Sequence, residues 1–148
     1  MSEAKLDLEA LYRDTVLEHY RRPHNRTPLE SPDASALVHN PVCGDQVRVE
    51  VALRDGRIER IAAVSRGCSI AVASGSVMTE LVAGGDATHV SGLAARLRAL
   101  IGGAPPPPDL DDRLRAFARV ADLPSRHRCA LLAWEALEEC LTPEENPR

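Results

Sequence analysis

Aromatic residues are scarce in this 148-residue chain: one Phe, one Trp and two Tyr, 3% in all. Its core must be assembled from Leu, Val, Ile and Ala, and the 44% hydrophobic content supplies them. No apolar run approaches the ~20 residues needed to cross a bilayer, which argues against a membrane protein. The opening "MSEAKLDLEALYRD" lacks the apolar core of a signal peptide, so a cytoplasmic location is expected. Excess positive charge is missing too: 18 Lys and Arg stand against 22 Asp and Glu, for a net charge of −4. Short basic groups such as "YRRPHNR" are offset by acids, and no nucleic-acid partner is expected. There is no Cys-x-x-Cys knuckle and no internal repeat. In a reducing compartment, the four cysteines point to ligands, nucleophiles or core residues rather than disulfides. The length suits one domain over residues 1–148, with a frayed tail from about 142 to 148.

What is present is periodicity. Leu8, Leu11, Tyr12, Thr15, Val16, His19 and Tyr20 follow helical spacing, with Asp7 as a candidate cap and Pro23 as a limit. "ALVHN" is a short candidate strand. Val47, Val49, Val51 and Leu53 alternate with Arg48, Glu50 and Ala52, the pattern of a half-buried strand. Asp55-Gly56 signals a hairpin turn into "RIERIAAVSRG". Ser69 is a candidate cap for a helix over roughly 70–83, ended by Gly84-Gly85, and Gly75 within it invites close packing. Further helices are predicted in "HVSGLAARLRALIGG", "DLDDRLRAFARVADL" and "SRHRCALLAWEALEECL", with Pro105 to Pro108 as an extended spacer. A helix, a small antiparallel sheet and then several helices make the expected class α+β.

Three cysteines occupy distinctive places. Cys43 precedes a strand, Cys68 joins a strand to a helix, and Cys129 opens the last helix. A helix N-terminus carries partial positive charge, which favours thiolate at Cys68 and Cys129. Burial as a small hydrophobe is the competing reading for each. Gly44 permits a tight bend through which Cys43 and Asp45 can approach one point. Three thiolates and a carboxylate suit tetrahedral zinc or iron. The spacing itself leaves convergence open. Cys140 returns to the face of Cys129 about 16 Å further along the helix, beyond the reach of one mononuclear site, and is read as structural. Trp134 is read as a core anchor of that helix. His19 and Tyr20 are read as packing and hydrogen-bonding residues.

Four segments together resemble the IscU/NifU-like family of iron–sulfur cluster assembly proteins: "LYRDTVLEHYRRPHN", "NPVCGDQV", "GCSIAVASGSVMTELVAG" and "PSRHRCALLAWEAL". They occur in family order across nearly the whole chain. Two details resemble the SufU type within it. Arg128 stands where IscU proteins carry a histidine before the third cysteine, with His127 one residue back. The 60 residues between Cys68 and Cys129 also match the longer SufU spacing.

The resemblance implies the IscU/NifU-like fold and Cys43, Asp45, Cys68 and Cys129 as metal ligands. It implies one zinc per chain and a pyridoxal-phosphate cysteine desulfurase of the SufS type as partner. Cys43 is then the thiol that accepts persulfide sulfur, with a downstream iron–sulfur scaffold as a further partner. Arg126 and Arg128 are expected to meet the desulfurase. The leading expectation is a zinc-dependent sulfurtransferase. Two other functions use the same residues: a scaffold assembling a 2Fe–2S cluster or holding iron, and a zinc-stabilised adaptor without chemistry of its own.

Overall fold

A computed structural model describes the backbone of residues 3–142 and the side chains of residues 8–142. Helix α1 (Glu3–Arg21) leads into a turn-rich segment and then three strands, β1 (Ala34–His39), β2 (Gln46–Arg54) and β3 (Arg57–Arg66). Helices α2 (Ser69–Val82) and α3 (Ala87–Ile101) follow, then short α4 (Asp112–Arg115), two 3₁₀ turns (Ala116–Asp122 and Pro124–Arg126) and α5 (His127–Cys140). The strands form one antiparallel sheet in the order β1-β2-β3. The class is α+β, as the sequence implies. The tail expected to fray lies, beyond Thr142, outside the described residues.

The sheet follows the alternation of β2. Val47, Val49 and Val51 are fully buried while Arg48 faces solvent. Leu53 breaks the pattern. A register shift at Ala52/Leu53 pairs Ala52 with Arg60 but Leu53 with Ile58, so one residue of β3 bulges and Leu53 is only half-buried. Asp55 (φ +53°) and Gly56 (φ +77°) make the β2–β3 turn with both central residues left-handed, as Asp-Gly hairpins require.

Helix α5 packs against β1 and β2, α2 packs against β3 and α5, and α1 packs against α2. Gly75 faces β3 and α5 from within α2. A Cβ there would stand 3.1 Å from Ser65 Oγ and 3.6 Å from the Cβ atoms of Ala63 and Ala133. Trp134 is fully buried, and its Nε1–H donates to Ser74 Oγ at 3.2 Å. Ser74 Oγ in turn donates to the Ala130 carbonyl at 2.6 Å. The long stretch between Cys68 and Cys129 completes this core with Leu97, Leu100, Leu114, Phe117 and Val120.

Three local expectations change. Asp7 lies inside α1 rather than capping it, because the helix already begins at Glu3. Ser69 is the first residue of α2, and Cys68 takes the cap position with extended backbone (φ −71°, ψ 164°) and no side-chain cap hydrogen bond. The segment from Asp109 is not one continuous helix but α4 followed by a 3₁₀ stretch. Its large, fully buried apolar residues Leu114, Phe117 and Val120 recur every three positions, beside the small buried Ala116. Within the 3₁₀ stretch, three residues per turn align Phe117 and Val120, which an α-helix would offset by about 60°.

Candidate metal centre

Three turns deliver the site residues to one end of the sheet. The β1–β2 connection is a closed loop. Asn40 N–H donates to the Asp45 carbonyl and Gly44 N–H to the Asn40 carbonyl, both at 2.8 Å. The Asn40 side chain accepts from Val42 N–H at 3.1 Å. Gly44 turns the chain at φ +82°, so Cys43 stays exposed while Asp45 turns inward and is buried. At the end of β3, Gly67 adopts φ +146°. A Cβ on Gly67 would overlap the Asp45 carboxylate, so only glycine leaves room for it. Cys68 N–H, at the cap of α2, then donates to Asp45 Oδ1 at 3.2 Å. Cys129 is the third residue of α5 and is fully buried.

Among the described residues, the structure gathers Cys43, Asp45 and Cys129 with one donor atom of each within 4.8 Å of the others. The Cys43 and Cys129 sulfurs are 3.9 Å apart. Two thiolates on one tetrahedral ion with 2.3 Å bonds are separated by about 3.8 Å. Asp45 Oδ2 is buried with no hydrogen-bond partner, beside these sulfurs. An uncompensated buried carboxylate oxygen is costly, and a cation on the thiol side would satisfy it. Cys68 is not within the same distance of all three, and its tie to the cluster is its backbone N–H on Asp45 Oδ1. The donor set therefore fits a thiophilic divalent ion.

Burial pushes the Cys129 thiol far up, and Asp45 and the neighbouring Cys68 push it the same way. The helix-terminus argument for thiolate at Cys129 is thus outweighed without a cation. Burial also opposes ionisation of Asp45, yet the polar surroundings of the Cys68, Cys129 and Cys43 thiols and the Cys68 N–H carry its carboxyl below the usual value. The cluster cannot hold several negative charges together unless a positive one joins them.

The flanking arginines differ. Arg126 is influenced first by the charge of Cys68 and then by the neighbouring Cys129, which raise its pKa. Arg128 runs along α5 to Glu135 at 3.3 Å. His127 turns away, its Nε2 meeting the Ala121 carbonyl at 3.1 Å. Cys140 lies at the far end of α5, where its sulfur reaches the Val49 carbonyl at 3.5 Å. Sequence reasoning overlooked Asn40 and Gly67. Their signals were present in "HNPVCGD" and "RGCS", a loop-closing Asn before Pro and a glycine directly ahead of a cysteine.

The NifU-like N-terminal domain family matches residues 11–108. The iron–sulfur cluster assembly scaffold protein IscU of Streptococcus pyogenes serotype M1 is 34% identical over 140 residues, which cover 94% of this chain and 87% of that protein. The zinc-dependent sulfurtransferase SufU of Bacillus subtilis is 31% identical over 140 residues, 94% of this chain and 95% of that protein. A crystal structure of the N-terminal part of a NifU-like protein from Brucella abortus superposes with a TM-score of 0.80 at 28% identity, covering 90% of this chain and 93% of that one. With the three-stranded sheet, the helices around it and the thiol-carboxylate cluster in place, the chain belongs to the NifU-like N-terminal domain family, the IscU/SufU family of iron–sulfur cluster assembly.

Proposed function

We propose that this protein is a zinc-dependent sulfurtransferase that activates a cysteine desulfurase and accepts its persulfide sulfur on Cys43. The observation that carries this reading is the contrast within one cluster. Cys43 is exposed on a loop, while its neighbour Cys129, 3.9 Å away, is fully buried on a helix. Cys43, Asp45, Cys68 and Cys129 are the proposed ligands. Zinc bound there would supply the positive charge that keeps thiols deprotonated and protects them from oxidation. The chain's own residues do the rest. Asp45, anchored by Cys68 N–H, fixes one side of the site, and Arg126 adds positive charge beside the thiols.

The Cys43 loop can move without unpacking the core, because residues 41–44 are all exposed. The Cys43 thiolate attacks the terminal sulfur of the partner's persulfide. The new bond joins Cys43 Sγ to that sulfur, the partner's own S–S bond breaks, and its cysteine leaves as thiolate. Val42, 93% exposed beside Cys43, and Arg126 and Arg128 on the neighbouring rim are proposed to meet the desulfurase. The chemistry suits a compartment where thiols stay reduced, such as the cytoplasm. Among the described residues, no helix is long and apolar enough to cross a membrane.

The scaffold reading draws on the relative named as an IscU scaffold. The orientation of His127 favours the sulfurtransferase, since no histidine side chain joins the cluster among the described residues. The test is desulfurase turnover with and without this protein, followed by peptide mapping of the added sulfur. Stimulated turnover with sulfur on Cys43 is expected. Sulfur found only on Cys68 or Cys129 overturns the acceptor assignment. Brown protein with visible charge-transfer bands after aerobic purification, and no stimulation, supports the scaffold instead.

A further inference from the structure

A second group of metal-ligating side chains lies on another part of the molecule. His19 lies in the last turn of α1, His24 sits in the turn after it, and Glu80 is near the end of α2. One ligand atom of each lies within 4.8 Å of the others. His24 Nδ1 meets Glu80 Oε2 at 2.5 Å, and His19 Nε2 lies 3.8 Å from Glu80 Oε1. The imidazole centroids are 4.8 Å apart. Glu80 comes 12 residues after Cys68, or about 18 Å along the helix axis, so no ion could be shared with the thiols.

We propose that His19, His24 and Glu80 form a second, thiol-free site for a divalent transition-metal ion of the zinc class. Two imidazoles and a carboxylate with a free fourth position are a zinc donor set. The outer contacts orient the inner ones. His19 Nδ1 is 2.7 Å from Ser76 Oγ, which leaves Nε2 directed at Glu80. In the metal-bound form Nδ1 carries the proton and donates it to Ser76, fixing the tautomer that ligation needs. The same Ser76 Oγ accepts the backbone N–H of His24 at 2.8 Å.

The next residue is tied down as well. Asn25 Nδ2 donates to Thr79 Oγ1 at 3.0 Å, and its carbonyl accepts from Ala63 N–H at 2.9 Å. The turn that carries His24 is thus fastened to α2 and β3, and the site is organised before any ion arrives. His19 is buried, whereas the side chains of His24 and Glu80 are 38% and 27% exposed, which provides an entry path.

Two ligands on a tetrahedral ion at 2.0–2.1 Å stand about 3.4 Å apart. Ion entry therefore parts His24 from Glu80 by about 1 Å, a side-chain adjustment at an open edge. Arg113 Nη1, 3.5 Å from Glu80 Oε1, is the one arginine paired with Glu80 among the described residues. Its charge is met by Asp111 at 2.9 Å, and it shares Glu80 Oε1 with His19, leaving Oε2 on the His24 side for the ion.

The test is equilibrium dialysis of tag-free, full-length protein against buffered zinc, with bound metal counted by elemental analysis. Two zinc ions per chain are expected. His24→Ala and Glu80→Gln should each retain one, weakening the other by more than about 100-fold, since removing a ligand exceeds the 10–100-fold effect of outer partners. Cys43→Ala/Asp45→Ala should keep the second ion. With cobalt(II), His24→Ala should lose only weak ligand-field bands and keep the thiolate charge-transfer bands. The same zinc count in wild type, His24→Ala and Glu80→Gln overturns the proposal, whatever the thiol cluster holds. That result does not bear on sulfur transfer at Cys43.

Discussion

A methyl group on Gly67 would come within 2.8 Å even of Asp45 Cβ and would overlap its carboxylate, in a backbone region that L-residues rarely adopt. Gly67→Ala should therefore expel Asp45 from the cluster and cost about 1–3 kcal/mol of stability. Zinc content measured beside a urea melt checks this, and unchanged zinc affinity counts against the proposed role of Asp45. The cysteines separate in the same way. Cys43 is exposed, so Cys43→Ala should leave the urea midpoint nearly unchanged under chelation while abolishing sulfur acceptance. Cys140 is buried at the far end of α5. Cys140→Ala should lower stability by about 1 kcal/mol yet keep both metal and sulfur transfer. Loss of zinc in folded Cys140→Ala protein would show that the two ends of α5 are coupled in a way the distances do not suggest.

At the scale of elements, one hydroxyl ties the packed helices α2 and α5 together. Ser74 Oγ receives the Trp134 indole N–H and donates to the Ala130 carbonyl. Ser74→Ala should strand a fully buried N–H and cost about 1–3 kcal/mol, read as a lower urea midpoint at unchanged m-value. This contact was invisible in the sequence, although Trp134 itself was legible as a core anchor. The same division recurs through the fold. Alternation located β2, and Asp55-Gly56 located its hairpin, because both are local signals. The bulge at Ala52/Leu53 depends on how β3 pairs, so nothing within β2 announced it. The three-residue spacing of Leu114, Phe117 and Val120 was written in the sequence, but it becomes decisive only when α1 and α3 cover that face. Cys43, Asp45, Cys68 and Cys129 were singled out by residue type and family likeness. The gathering of Cys43, Asp45 and Cys129 rests on Gly44, Gly67 and the Asn40 loop, whose effects act across the sheet.

At the scale of the whole molecule, the proposed ligands come from the β1–β2 loop, the α2 cap and the start of α5, separated by up to 86 residues of chain. An ion held by all of them would be bound by the folded state and far less by the unfolded one, so its binding free energy adds to stability. Free zinc at 100 times the dissociation constant contributes about 2.7 kcal/mol. For a chain of this size each kcal/mol moves the midpoint by roughly 4 °C, so zinc should raise Tm by about 10 °C over chelated protein. The second site on α1 and α2 would add its own share, so His24→Ala is the reference chain for this measurement. In that background Asp45→Ala should lose most of the shift. It removes the ligand whose second oxygen has no other partner, although Cys68 and Cys129 remain. Cys140→Ala should keep the whole shift at a lower baseline. A Tm that ignores both zinc and chelator in the His24→Ala chain would mean that Cys43, Asp45, Cys68 and Cys129 do not hold an ion together, and the sulfurtransferase reading would lose its zinc.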